Sequence, residues 1–122
     1  MSKILVIEDE PAIQKAIAEA LRGEGFEIET SFDAEEGLNI TKMFRPDLIL
    51  LDLLLPGKNG FEFMNDLKKE PDIANTPIVI LSNLGDEEEI KQGMSLGAKD
   101  YLIKADYDLQ DVVKIVKKYL EN

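Results

Sequence analysis

Five short apolar runs, each followed by a stretch with helical patterning, constrain this chain more than any other feature. Lys3-Ile4-Leu5-Val6-Ile7 is the first run and reads as a buried strand. Pro11 follows as an early helical residue, where its missing N–H costs nothing. Ile13, Ile17, Ala20 and Leu21 then mark one helical face, and Gly23 and Gly25 end that helix. From Phe26 to Thr30 the pattern alternates. Phe26, Ile28 and Thr30 lie on one face and Glu27 and Glu29 on the other, as in an edge strand with one wetter side. A second helix runs from Ala34 to Met43 and stops before Pro46. Leu48-Ile49-Leu50-Leu51 is apolar on both faces, which predicts a central strand.

The rest of the chain repeats the alternation. A loop rich in Gly and Pro, from Leu53 to Gly60, leads into a third helix over Phe61 to Lys69, with Phe63, Met64 and Leu67 facing inward. Ile78 to Ser82 is a fourth strand, Glu87 to Leu96 a fourth helix closed by Gly97, and Tyr101 to Lys104 a fifth strand. Leu109, Val112, Val113, Val116 and Leu120 stripe the last helix. Strands and helices in strict alternation imply an α/β chain with a parallel sheet covered on both faces. The natural arrangement is a doubly wound, flavodoxin-like sheet of five strands in the order 2-1-3-4-5, forming one domain over residues 1–122. In that order the winding reverses between strands 1 and 3, and the crevice outside their C-terminal ends is the expected site. Asp9 closes the first strand and Asp52 the third, so two acids distant in sequence should meet there.

Composition narrows the chemistry. The chain has no cysteine and no histidine, so thiolate sites, disulfides and imidazole bases are excluded. Carboxylates, lysines, hydroxyls and backbone groups must do the work. A net charge of -11 argues against nucleic-acid binding by this domain and against an anionic membrane surface. No segment resembles a signal peptide and no apolar run is long enough to span a bilayer, so a cytoplasmic location is expected.

Glu8 and Asp9, Asp52, Ser82 and Lys104 all fall at C-terminal strand ends. Crowded carboxylates repel one another and favour a hard cation, for which Mg2+ with its oxygen preference is suited. Lys104 can offset the remaining charge, and Ser82 offers a hydroxyl to a phosphoryl oxygen. Taken singly, each has a plainer reading. Asp52 can be a turn aspartate, Glu8 to Glu10 helix-start acids, Lys104 a solvated strand end, and Tyr101 a half-buried aromatic.

Together these residues resemble the receiver domains of bacterial two-component response regulators, the CheY-like family, over essentially the whole chain. The matching pieces are Ile4 to Glu10, Pro46 to Asp52, Leu55-Pro56 with Gly60, Pro77 to Ser82, and Gly97 to Lys104. The resemblance implies a phosphorelay switch. Asp52 would be the nucleophile that takes phosphoryl from a sensor histidine kinase or a histidine phosphotransfer protein. Glu8, Asp9, Asp52 and the backbone carbonyl of Leu54 would organise Mg2+, with Glu8 acting largely through water. Lys104 would pair with Asp52 or the phosphate. Ser82 would swing toward the phosphate and Tyr101 would follow it from an exposed to a buried rotamer. Output would pass through the helix 4–strand 5–helix 5 face to a downstream protein, with a phosphorylation-dependent homodimer and an attached output domain left open. Enzymatic activity would be limited to self-phosphorylation and self-dephosphorylation.

Several positions depart from the family pattern. Asn83 stands where Ala or Gly is usual, and Ala105 where Pro is usual. A cis bond before a non-proline costs about 2.5–4 kcal/mol. The Lys104–Ala105 bond is therefore expected to be trans, with a rearranged loop to Asp108. Leu54 and Leu84 occupy the positions two beyond Asp52 and Ser82, where polar side chains can orient water. Leucines there imply slow self-dephosphorylation. Three competing functions fit less well. A flavodoxin-like electron carrier needs a phosphate-cradling loop where this chain has Glu8-Asp9-Glu10-Pro11. A pseudo-receiver would lack one of the acids, the hydroxyl or the lysine. A haloacid-type hydrolase would have a second aspartate at Leu54.

Overall fold

A computed structural model describes residues 1–121. The strands are β1 (Lys3–Ile7), β2 (Glu27–Ser31), β3 (Leu48–Leu51), β4 (Ile78–Ser82) and β5 (Asp100–Ile103). The helices are α1 (Pro11–Gly23), α2 (Ala34–Phe44), α3 (Gly60–Lys68), α4 (Glu87–Ser95) and α5 (Leu109–Leu120), with a 3-10 turn at Lys104–Asp106. All strand pairs are parallel and the sheet order is β2-β1-β3-β4-β5. The expected topology is therefore the observed one.

Side chains alternate across each strand, and this divides the core in two. Ile4, Val6, Leu48, Leu50, Val79 and Leu81 pack against α1 and α5. Leu5, Ile7, Ile49, Leu51, Ile78 and Ile80 face the opposite layer with Phe63, Met64 and Leu67 of α3. All four side chains of β3 are buried, each worth roughly 1.5–3 kcal/mol relative to exposure. Both faces of this strand are covered, which accounts for its unbroken apolar run.

Helix starts follow local chemistry. Asp33, Asn59, Asp86 and Asp108 each accept the backbone N–H three residues on, at 2.8, 3.0, 2.9 and 2.8 Å. The last three are full capping boxes. α1 has no side-chain cap and begins on Pro11 instead.

Helix ends shift by a residue at α2, α3 and α4, β5 starts at Asp100, and several residues fall differently from expectation. On α1, Ala20 is only half-buried, while Ala18 and Gln14 are buried with Ile17 and Leu21. β2 is shifted by one residue and ends on a buried Ser31. Leu109, the first residue of α5, is 41% exposed rather than part of the buried stripe. Lys104 lies just beyond β5, in the 3-10 turn. No peptide bond among the described residues is cis, so the chain leaves β5 through a trans Lys104–Ala105 bond and that turn, as expected.

Candidate functional site

β1 and β3 are neighbours in register, with Ile7 opposite Leu51, so the next residues of both emerge at the same edge. The Asp52 N–H donates to the Ile7 carbonyl at 3.0 Å, which ties the two strand ends together. The Glu8 N–H bonds the Ser31 carbonyl at 3.0 Å and extends the same edge to β2. Glu8, Asp9 and Asp52 each place a carboxylate oxygen within 4.8 Å of the others. Glu8 is 2% exposed and Asp52 4% exposed, whereas Asp9 is open to solvent.

Lys104 arrives from the end of β5. Its ammonium lies 2.5 Å from Glu8 Oε1 and 2.8 Å from Asp52 Oδ2. Asp52 Oδ1 accepts the Leu54 N–H at 3.2 Å. The two oxygens of Asp52 thus have different partners, one cationic and one peptide. Burial pushes the Glu8 carboxyl up to about 7, against the opposing pull of Lys104 and the Glu10 N–H, and the Asp52 charge adds to the rise. Burial also works against the charge on Lys104, but hydrogen bonds to Asp52 and Glu8 outweigh it and hold the ammonium above its ordinary pKa. Two nearly dry carboxylates share one cation, and Asp9 adds a third acid at the rim. Such a set of hard oxygen donors fits a small divalent cation.

The loop after β3 is set by Gly60. A Cβ there would sit 2.7 Å from the Asp52 carbonyl oxygen and 2.8 Å from the Leu53 Cα, both backbone atoms that cannot yield. Gly60 therefore lets α3 close onto the end of β3, and its N–H bonds the Leu53 carbonyl at 3.0 Å. Leu53 points into the core while Leu54 is 53% exposed at the mouth.

Ser82 ends β4 beside the β3 terminus and is fully buried. Its Oγ accepts the Leu84 N–H at 3.3 Å. The Leu84 carbonyl accepts the Tyr101 hydroxyl. One peptide-bonded residue thus connects Ser82 with Tyr101, whose ring is not in the exposed starting rotamer expected from the sequence but already inward and half-buried, because its hydroxyl bonds the Leu84 carbonyl and its ring packs on the core. Asn83 and Ala105 are exposed, and the Leu84 side chain is half-buried against the α3–α4 side of the core. Glu8, Asp9, Asp52 and Lys104 form one cluster. Ser82, Leu84 and Tyr101 form a second line leading from it toward α4.

Sequence reasoning missed Gln14. Its amide donates to the carbonyls of Glu8 at 3.1 Å and Ser31 at 2.9 Å, so α1 holds the ends of β1 and β2. The spacing Gln14, Ile17, Ala18, Leu21 was the available signal, since it places Gln14 on the buried stripe.

The family model described as "Response regulator receiver domain" matches residues 4–117. The chain belongs to this family. Its five-stranded sheet in the order 2-1-3-4-5 is also the fold of solved members. A chemotaxis protein CheY4 structure from Vibrio cholerae superposes with a TM-score of 0.90 at 28% identity, covering 98% of each chain. The DNA-binding dual master transcriptional regulator RpaA of Synechocystis is 33% identical over 120 residues, 98% of this chain and 49% of that protein. The phosphate regulon transcriptional regulatory protein PhoB of Escherichia coli is 38% identical over 102 residues, 84% of this chain and 44% of its own length. The receiver thus spans about half the length, or less, of these curated relatives. Among the described residues, no helix of the receiver is long and apolar enough to cross a membrane.

Proposed function

We propose that this receiver is a Mg2+-dependent phosphorelay switch that accepts a phosphoryl group on Asp52 from a sensor histidine kinase or a histidine phosphotransfer protein. The observation that carries the reading is the triad of carboxylates within 4.8 Å of one another, with the Lys104 ammonium on Asp52 Oδ2. Glu8, Asp9, Asp52 and the Leu54 carbonyl would hold the cation, Glu8 through water. When bound, Mg2+ supplies charge neutralisation and alignment between acceptor and phosphoryl oxygens.

The protein's own residues do the rest. The Asp52 carboxylate attacks phosphorus, the bond to the donor nitrogen breaks, and the phosphoryl group ends on the carboxylate oxygen. The Leu54 N–H and Lys104 fix the carboxylate's rotamer before attack, so little geometry has to be found in the transition state. Lys104 then offsets the charge the new phosphoryl group brings. The Ser82 hydroxyl turns to a phosphoryl oxygen and releases the Leu84 N–H. This moves the loop whose carbonyl holds Tyr101, and so alters the α4–β5–α5 face read by a downstream protein or a second copy. Catalysis is confined to the protein's own phosphorylation and dephosphorylation. With Leu54 and Leu84 flanking the site, no side chain at either position can orient a water, and hydrolysis is slow. A switch of this kind would act in the cytoplasm, with no nucleic-acid contact by this domain.

Intact-mass measurement after incubation with acetyl phosphate tests the proposal. One added phosphoryl group is expected in wild type with Mg2+, and none with Asp52→Asn or with chelator. An adduct that survives Asp52→Asn would reject Asp52 as the acceptor. The adduct's half-life tests the leucine argument, and loss within seconds would reject it.

A further inference from the structure

Tyr101 lies inward for a reason that sits on α4. Gly93 is the only buried residue of that helix, and it sits mid-helix. Glycine in a helix interior is less favourable than alanine, so helix formation alone would select against it. Its backbone φ is ordinary, and turn geometry does not require it. The space around it does. A Cβ at position 93 would lie 3.1 Å from Tyr101 Cδ2 and 3.2 Å from Tyr101 Cε2, with the Ile80 δ-methyl at 2.7 Å. The ring therefore rests directly on the bare helix backbone. At the neighbouring loop, a Cβ on Gly85 would collide with Ile103, so the loop that offers the Leu84 carbonyl also sits down on β5 through a missing side chain. The phenol is held at one end by that carbonyl and along its face by Gly93.

We infer that Gly93 is a positioning residue: it opens a slot in α4 that seats the Tyr101 ring inward, so α4 itself sets the position of the tyrosine. The Ile80 δ-methyl is the far end of a flexible side chain and can rotate aside. The ring is rigid and pairing with β4 holds its Cα, so a χ1 swing is the turn that lifts the whole ring off α4. That swing carries it out of the slot and away from Leu84. The consequence for signalling rests on the switch reading above, whereas the ring's position does not.

The test labels the three tyrosines with 3-fluorotyrosine and reads their 19F signals against a soluble paramagnet, with Tyr101→Phe for assignment. In wild type the Tyr101 signal should be protected relative to exposed Tyr107. In Gly93→Ala its paramagnetic broadening should rise to that of Tyr107, while the Tyr119 signal stays in place. It should remain exposed in Gly93→Ala with Ile80→Val, because trimming Ile80 leaves the ring contact. Protection retained in Gly93→Ala, or restored by Ile80→Val, would overturn the inference. Thermal melts give a second readout if Gly93→Ala folds poorly. Gly93→Ala should lower Tm with Tyr101 present and raise it in a Tyr101→Ala background. The same change in both backgrounds would also overturn it. None of these measurements requires phosphate, so their failure is distinct from failure of the phosphorelay reading.

Discussion

Lys104 touches two carboxylates that are almost out of water, and removing it leaves both without a cationic partner. Breaking a buried pair in this way costs about 3–5 kcal/mol, and the open Asp9 side of the crevice argues for the low end. Lys104→Ala should therefore lower the urea-unfolding free energy by about 3 kcal/mol in chelator, and Mg2+ should restore part of the loss. Stability equal to wild type in chelator would mean that the ammonium is not what balances Glu8 and Asp52. Tyr101 yields a prediction in pH. Burial, and after it the charges of Glu89, Asp86 and Asp52, push its phenol from 10.0 up to about 12. The raised value means the folded state prefers the neutral phenol, the form that donates to Leu84. Its stabilisation is complete below pH 10.0 and is lost as pH rises through about 12. In alkaline tyrosinate absorbance, the step missing from Tyr101→Phe should fall near pH 12. A missing step near 10.0 would put the ring in water.

Among the helices, α4 is the one held most loosely. Its only buried residue is Gly93, whereas α3 buries Phe63, Met64 and Leu67 as well as Gly60. With little apolar area to hold it, α4 depends on its start, where Asp86 and Glu89 form a capping box and Glu87 to Glu89 meet the positive end of the helix dipole. Asp86→Ala should cost about 1 kcal/mol of global stability. In hydrogen exchange, amides of residues 90–95 should exchange faster than those of α3 in wild type, and faster still in the variant. Slower exchange in α4 than in α3 would mean that burial does not set their order. This looseness belongs with the proposed output face, since an element that must shift cannot be locked by packing. Helix starts were legible in sequence, because Asp, Asn and Pro act on the backbone within three residues. Strand ends were less so. β2 slipped by one and β5 released Lys104, because the last residue of a strand is decided by the neighbour it pairs with.

Charge acts on the molecule as a whole. A net charge of -11 on 122 residues repels itself in the compact state. Raising salt from about 10 mM to about 150 mM shortens the screening length from about 30 Å to about 8 Å, so Tm should rise over that range. Mg2+ should add a further increase that saturates and that Asp9→Asn weakens. A Tm flat in salt would show that the acids are already balanced locally. Alternating apolar runs and stripes determined the α/β class, the strand order and the meeting of Asp9 with Asp52, since a βαβ crossover has one favoured hand and one place for a crevice. The acids, the hydroxyl and the lysine were legible because each follows an apolar strand. Gln14 and Gly93 were not. A buried glutamine is defined by the carbonyls it reaches across from α1, and a mid-helix glycine by the ring that occupies its missing Cβ. Both depend on contacts between elements far apart in the chain. Local patterning reports which way a residue faces, and only tertiary packing decides what it meets there.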